Sequence, residues 1–418
     1  MSHIIIIGAG FSGLMAARAL LSQGHTITIL EGRDRTGGRI HTFAEKFSRP
    51  VESGAEFIHG QQPITLALLK EAGVTANGFH GNFYTIYKNE IVDDNSIEQH
   101  WKLFYSILAE LKSDVTLTRF LNDHFSETRF DEFRTGVINF AEGFDIADPE
   151  KVSMLGLREE WMQNDEEHQY HVDGGYTRLI DYLEKAVLAK GARLELTTVV
   201  TKIEWKKDSV TVVAEKGSVF RSDKVLCTLP VGVMQTGRIK FTPEIPEIND
   251  AYNKIGYGGI IKFLFEFKSA FWEQCRDGIL KKALFFFSDA TVPTWWTQQP
   301  DAMPLLTGWL GGPKTFSISH DIQILYQQAI ESLAYIFETT QQKIESELMN
   351  WQIIDWSGDP FALGGYTYPT LEAHDARATL SAGVEGTIYF AGEGLYEGEV
   401  PGTVEAALNS GLKVAEKI

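Results

Sequence analysis

Three glycines and one glutamate carry the first chemistry legible in this chain. Gly8-Ala9-Gly10-Phe11-Ser12-Gly13 follows a short apolar run, His3 to Ile7. It precedes apolar residues at helical spacing (Leu14, Ala17, Leu20, Leu21), and Gly24 stops that helix. A second apolar run, Thr26 to Leu30, ends at Glu31. In this strand, glycine turn, helix, strand order, Gly8 permits the tight turn. Gly10 lets the backbone approach a pyrophosphate, and Gly13 lets the helix pack on the sheet. Phe11 and Ser12 lie at the start of the helix, whose free N–H groups and positive dipole suit phosphates. Glu31, about 20 residues on, is placed to bond ribose hydroxyls and would repel a 2′-phosphate. The pattern implies a dinucleotide other than NADP and leaves NAD and FAD both open.

The next residues are Glu31-Gly32-Arg33-Asp34-Arg35-Thr36-Gly37-Gly38-Arg39. They resemble the fingerprint E-x-R-x-R-x-G-G-R of the flavin-containing amine oxidase family, which includes monoamine and polyamine oxidases. The resemblance implies FAD, with Gly32 and Gly38 in the cofactor loop and Arg39 neutralising the pyrophosphate. Arg33 and Arg35 are expected to form a solvated basic loop. Glu52-Ser53-Gly54-Ala55-Glu56-Phe57-Ile58-His59-Gly60 resembles the family segment that runs along the flavin ring. Gly54 and Ala55 would let a flat ring lie against backbone, with Glu56 and Phe57 continuing the segment. His59 then faces the substrate entrance, unless it is a surface histidine. Val200 matches the valine with which the family clamps the adenine. Near the end, Ala391-Gly392-Glu393 and Pro401-Gly402-Thr403-Val404 resemble a second FAD motif. Gly392 and Glu393 are implied to bind the ribityl and phosphate region. The helix that opens at Gly402, Thr403 and Val404 is implied to meet the pyrimidine carbonyl.

Catalytic residues follow from the same resemblance. Lys262, in Gly259-Ile260-Ile261-Lys262-Phe263-Leu264-Phe265-Glu266-Phe267, matches the family lysine that holds a water against flavin N5. A lysine snorkelling to solvent from an open sheet face is the alternative. Tyr366, closing Trp356-Ser357-Gly358-Asp359-Pro360-Phe361-Ala362-Leu363-Gly364-Gly365, resembles one wall of an aromatic cage that orients the amine. The residue before it is cysteine in covalent monoamine oxidases and Gly365 here, which implies noncovalent FAD. The chain departs from the family at the opposite wall, where monoamine oxidases carry tyrosine and this sequence has Glu399. Tyr396 is the candidate substitute wall, and Glu399 is either a partner for a second ammonium group or a residue that points to water. The implied reaction is hydride transfer from the amine carbon to flavin N5. It gives an imine and then a carbonyl, with O2 reduced to H2O2. His59, Lys262 and Tyr366 are the candidate catalytic residues.

These residues need a scaffold. The chain is expected to be α/β, with a Rossmann-type FAD-binding domain interleaved with an α+β substrate-binding domain. The cofactor part is assigned to 1–75, 173–230 and 380–418, and the substrate part to 76–172 and 231–379. Helices are expected over Glu98 to Lys112, Leu117 to Ser126, Phe130 to Ala141, Thr177 to Leu188, His320 to Glu338 and Thr403 to Lys417. Strands are expected over Arg193 to Leu196, Val199 to Trp205, Ser209 to Ala214, Lys224 to Thr228, Gly259 to Phe267, Pro304 to Gly308 and Thr387 to Phe390.

Composition limits the partners. At 418 residues with 44% hydrophobic side chains the chain suits two packed domains. Its formal charge of -18 argues against nucleic acid and suits a cationic substrate, and the family resemblance implies that this is a small amine, with O2 as co-substrate. Cys227 and Cys275 make no disulfide framework, and no segment reaches the roughly 18 to 20 apolar residues of a membrane span. The opening MSHIIIIGAG is unlike a signal peptide, so a cytoplasmic location is expected. Nothing in the pattern points to a metal or to a particular oligomer. Other readings of the same fold are a desaturase or porphyrinogen-type oxidase and an L-amino-acid oxidase. The first would want a membrane-facing apolar element, for which Ala283 to Phe287 with Trp295 and Trp296 is the only segment available. The second would want an arginine for the carboxylate.

Overall fold

The computed structural model describes residues 1–92, 95–162, 169–301, 303–398 and 401–418. His3–Ile7 and Thr26–Leu30 form as adjacent parallel strands, in register from His3 opposite Thr26 to Ile7 opposite Leu30. Arg193–Glu195, Lys224–Cys227 and Ile388–Phe390 complete a five-stranded parallel sheet. A parallel sheet is covered on both faces, which explains why its strands are apolar almost throughout. On one face lie helices Phe11–Ser22, Thr177–Ala189 and Val404–Lys417, sharing a core with Ile4, Ile6, Ile27 and Ile29. On the other lie Ile5, Ile7 and Leu30, packed against a four-stranded sheet that includes Val200–Lys206 and Ser209–Ala214. Lys240–Thr242 joins that second sheet in parallel with Val200–Lys206, and helix Pro246–Asn253 packs in the same core.

The other large sheet has seven strands, in the order Leu348–Asp355, Ile260–Phe267, Leu305–Gly311, Thr294–Trp296, Ala283–Ser288, Asn82–Tyr87, Glu90–Ile91. Ile260–Phe267 lies between two neighbours and is buried along its whole length. Its two faces differ. Ile261, Phe263, Phe265 and Phe267 enter a core roofed by helix Ile322–Ile336, while Ile260, Lys262 and Leu264 turn the opposite way. Helices Asn95–Ala109, Leu117–His124, Asp131–Gly143 and Met154–Trp161 close a separate aromatic-rich core. Thr116 and Ser153 cap two of these helices by accepting from Arg119 N and Gly156 N.

The segment considered for membrane contact is built into the seven-stranded sheet, with Trp295 and Trp296 buried. Among the described residues no helix is long and apolar enough to cross a membrane. Helix ends shift from the sequence expectation by a few residues. The first helix begins at Phe11, so Phe11 to Gly13 form its first turn, because Gly10 already serves as its N-cap.

Candidate active site

A continuous cavity of about 2000 Å³ runs from the glycine turn, past the seven-stranded sheet, to the helical region. Gly8, Gly10, Phe11, Ser12, Glu31, Gly32, Gly38, Arg39 and Val200 line one end. The turn is as tight as its glycines allow. Gly8 has φ +109°, and a Cβ there would meet Thr228 Oγ1 at 2.6 Å. A Cβ on Gly13 would lie 2.1 Å from Gly8 O, so this glycine is what lets the helix sit on the strand. Gly10 differs, since a Cβ there would have only Gly37 O nearby, at 3.9 Å, and would project into the cavity wall. Glu31 is buried, and its two oxygens accept from Ala9 N (2.8 Å) and Arg33 N (2.9 Å). The glycine turn and the strand-end acid are thereby fastened to each other.

Arg33 and Arg35 do not form a solvated loop. Arg33 makes a two-pronged ion pair with Asp359 at 2.6 and 3.0 Å and lies over the Phe361 ring. Arg35 donates to the carbonyls of Thr36, Gly38 and Ile40, and so braces the glycine loop. The proximity of Asp359 and Phe361, more than three hundred residues away in sequence, is a tertiary fact that charge counting misses. Gly32 is required by Phe361, whose Cε1 would lie 2.8 Å from an added Cβ. Arg39 pairs with Glu393 at 2.8 Å and donates to Gly365 O. The second Glu393 oxygen accepts from Thr367 Oγ1 at 2.7 Å, so both its oxygens are engaged within the protein.

Farther along, Gly54, Ala55, Glu56, Phe57 and His59 line the cavity beside Lys262. A Cβ on Gly54 would lie 1.8 Å from Arg39 O, so the segment is pressed against the arginine loop. Lys262 is not snorkelling, because it is 0% exposed. Its Nζ donates to Glu56 Oε2 at 2.7 Å and Gly54 O at 3.1 Å. An ammonium has three donors, so one remains for the cavity. Glu56 also accepts from Trp296 Nε1 at 3.0 Å. His59 is half-buried and bonds Gln169 through Nδ1, and burial lowers its pKa. It lies on the cavity wall and not on the outer surface.

Tyr366 is half-buried on the cavity wall and donates to Phe144 O. Its ring packs on Gly402, where φ is +73° and a Cβ would lie 3.0 Å from Cδ2. Trp309 stands opposite Lys262 in the strand register, and its ring centroid is 5.8 Å from that of Trp296. Tyr396 also lines the cavity, as do Gly392, Glu393, Gly402, Thr403 and Val404. The Thr403 side chain caps its own helix by accepting from Ala406 N at 3.1 Å. Glu399 lies outside the described residues.

One feature of the helical region escaped sequence reasoning. Glu160 lines the cavity and shares a hydrogen bond with buried Asp145, which accepts from Trp161 Nε1 at 3.0 Å. Burial, and then Glu160, holds Asp145 well above the carboxylate range, and burial pushes Glu160 up to about 7. The two acids thus act as one hydrogen-bonded unit beside aromatic walls, with burial favouring uptake of a proton. Each acid alone resembled an ordinary surface acid. Acidic residues fifteen apart, one beside a tryptophan, were the only hint available.

A parallel nucleotide-binding sheet that opens into an aromatic chamber with a buried lysine is the architecture of a dinucleotide-dependent oxidoreductase. Residues 11–418 match the flavin-containing amine oxidoreductases, and the chain belongs to that family. Polyamine oxidase 2 of Arabidopsis thaliana is 26% identical over 99% of this chain and 87% of its own length. Among solved structures, wild-type putrescine oxidase bound to putrescine superposes with a TM-score of 0.80 at 19% identity, over 99% of this chain and 98% of its own. Cyclohexylamine oxidase from Brevibacterium oxydans IH-35A gives 0.80 at 22%, with the same coverage. The enzyme is an FAD-dependent amine oxidoreductase.

The residues present fit FAD. The helix that starts at Phe11 has no side-chain cap, so its first N–H groups are free for phosphate. Ser12 Oγ is buried beside them with no hydrogen-bond partner among the described residues. At Gly10, Gly38 and Gly392 an added Cβ would meet no atom closer than 3.8 Å, which leaves room for a ligand against the backbone. Gly365 has no thiol, and a Cβ there would meet Ile260 Cδ1 at 2.0 Å, so the chain offers no covalent attachment at that position.

Proposed function

We propose that this chain oxidises an amine carrying a second cationic group, a diamine or polyamine, with O2 as the final acceptor and H2O2 as product. The observation that carries the reading is Glu160, hydrogen-bonded to the buried Asp145 behind it, on the same cavity as Tyr366, Trp309 and Lys262. Bound FAD supplies a two-electron acceptor for the carbon next to the amine nitrogen. Everything else falls to the side chains. Tyr366 and Trp309 orient the amine by their faces, while Glu160, braced by Asp145, anchors the distal ammonium. Lys262 holds a water with its remaining N–H, and neutral His59 offers a ring nitrogen to the substrate nitrogen.

Cofactor contacts are assigned in the same spirit. Gly8, Gly10, Phe11 and Ser12 take the pyrophosphate, with Gly13 seating the helix they open, Glu31 the ribose and the Val200 backbone the adenine. Gly32, Gly38 and Arg39, with Glu393 fixing the guanidinium, close over the phosphates. Gly54, Ala55, Glu56, Phe57, Gly392, Gly402, Thr403 and Val404 border the ring and its chain, with Tyr396 at the substrate side. We divide the chain at 1–75, 173–230 and 380–418 against 76–172 and 231–379. All five parallel strands fall in the first set and all seven strands of the large sheet in the second. Residues 240–253 nevertheless pack with the first set.

The alternatives fit less well. An amino-acid substrate needs a guanidinium for its carboxylate. Among the described cavity residues, the helical region and the large sheet contribute no arginine. A matched pair of substrates tests the proposal: 1,4-diaminobutane and n-butylamine, followed by peroxide release. The diamine should have the higher kcat/KM, and Glu160→Gln should cut that preference about ten-fold through KM. Equal use of both amines, unaffected by Glu160→Gln, would sink it.

A further inference from the structure

Lys262 does not present a bare charge to the cavity. The strand Ile260–Phe267 buries it completely, and Glu56 meets it at 2.7 Å with both groups shut away from bulk water. Glu56 is itself over-determined. Trp296 Nε1 at 3.0 Å and Gln298 Nε2 at 3.4 Å donate to its Oε1, so the carboxylate is gripped from the side opposite the lysine. These four side chains come from three separate stretches of the chain, and Glu56 lies 206 positions before Lys262. A lysine needed only as a packing element would not require so many donors on its partner.

We propose that Glu56 is a positioning residue that aims the Lys262 ammonium while cancelling its charge, so that the flavin meets a neutral pair and not a cation. The inference rests on the reading that Lys262 faces the flavin. Two opposite charges 2.7 Å apart act at a distance as a dipole, and the field of a dipole falls much faster than that of an ion. Burial opposes ionisation of Glu56, but Lys262, then His171 and the Lys262 and Trp296 hydrogen bonds, hold its pKa below the ordinary carboxylate value. Those contacts favour the carboxylate form of Glu56 beside the lysine. The consequence is a flavin that is harder to reduce, and less receptive to anions, than a lysine alone would make it.

Sulfite binding to the holoenzyme, followed by loss of flavin absorbance, reads the charge next to the flavin without turnover. Lys262→Met leaves Glu56 as an unpaired carboxylate and should weaken sulfite binding at least about ten-fold. Glu56→Gln should tighten it by a similar factor and raise the reduction potential, while Glu56→Asp should stay close to wild type. The decisive protein is the double variant Lys262→Met/Glu56→Gln, which replaces a buried ion pair by neutral groups and is expected to fold. It should bind sulfite within about three-fold of wild type, because one neutral pair replaces another. A double variant as weak as Lys262→Met alone would overturn the charge-cancelling role of Glu56. An unchanged Lys262→Met would instead remove the placement of Lys262 at the flavin, and the inference with it.

Discussion

Single residues in the first turn have separable jobs, and the space around each one says which. Gly13 has no room for a methyl group, because Gly8 O would be 2.1 Å from it. Gly10 has room in the protein but none to spare once a pyrophosphate lies against the backbone. Gly13→Ala should therefore destabilise the protein with or without cofactor, by roughly 1 to 3 kcal/mol as overpacking does. Gly10→Ala should leave the apoprotein's melting temperature within a degree or so and weaken FAD binding about ten-fold or more. Thermal melts of apo and FAD-loaded protein, with FAD titrations, separate the two. An apoprotein equally damaged by both changes would mean that Gly10 serves the turn and not the ligand. At this scale the sequence was informative about the cofactor end, because close backbone approach demands glycine at fixed offsets. It put Arg33 in a solvated loop, named Glu56 without its partner and did not mark Asp145, because their roles come from partners that only the folded chain brings near.

Elements were legible wherever a period was clean. The alternation of Ile261, Phe263, Phe265 and Phe267 against Lys262 and Leu264 announces a strand with two different faces, and the structure gives each face its own environment. The alternation does not say which neighbours the strand has. Pairing with Leu305–Gly311 sets Trp309 opposite Lys262, and the next strand brings Trp296 to Glu56, so the aromatic walls follow from register. The strand Asn82–Tyr87, partly exposed and paired to Ala283–Ser288, had no such pattern to announce it. The core-facing side can be tested alone. Phe265 is fully buried among Trp295, Tyr326 and Trp351, so Phe265→Ala should cost about 3 to 5 kcal/mol in urea unfolding. The flavin spectrum of the folded variant should be unchanged, since Phe265 turns away from the cavity. A spectral shift as large as that of a cavity variant would contradict the two-faced arrangement.

At the scale of the whole molecule, buried carboxyls should set how stability varies with pH. Glu52 is 8% exposed, accepts from Tyr176 N at 2.6 Å and Thr42 Oγ1 at 3.0 Å, and has its pKa pushed by burial up to about 7. Asp145 and Glu160 are raised in the same direction. In the unfolded chain a glutamate releases its proton near 4.5. Between that value and about 7 the native state therefore binds more protons than the unfolded state, and stability must fall as pH rises. Above about 7 both states are ionised at Glu52 and its contribution stays level. Glu56 acts with the opposite sign, since its lowered pKa gives stability that is lost only as pH falls below the ordinary carboxylate range. It is silent across the window in question. Net charge works in the same direction as Glu52, because a chain at -18 repels itself more as it moves away from its pI of 5.1. Glu52→Gln separates the two effects. The amide keeps an acceptor for Tyr176 N and offers a donor to Thr42 Oγ1, while it has no proton to lose. Urea midpoints from pH 5.5 to 8.5 should decline in the wild type. The variant should decline less, by about 2 kcal/mol over that span. Parallel curves for the two proteins would show that Glu52 is already ionised at pH 5.5, and that repulsion among surface acids accounts for the slope.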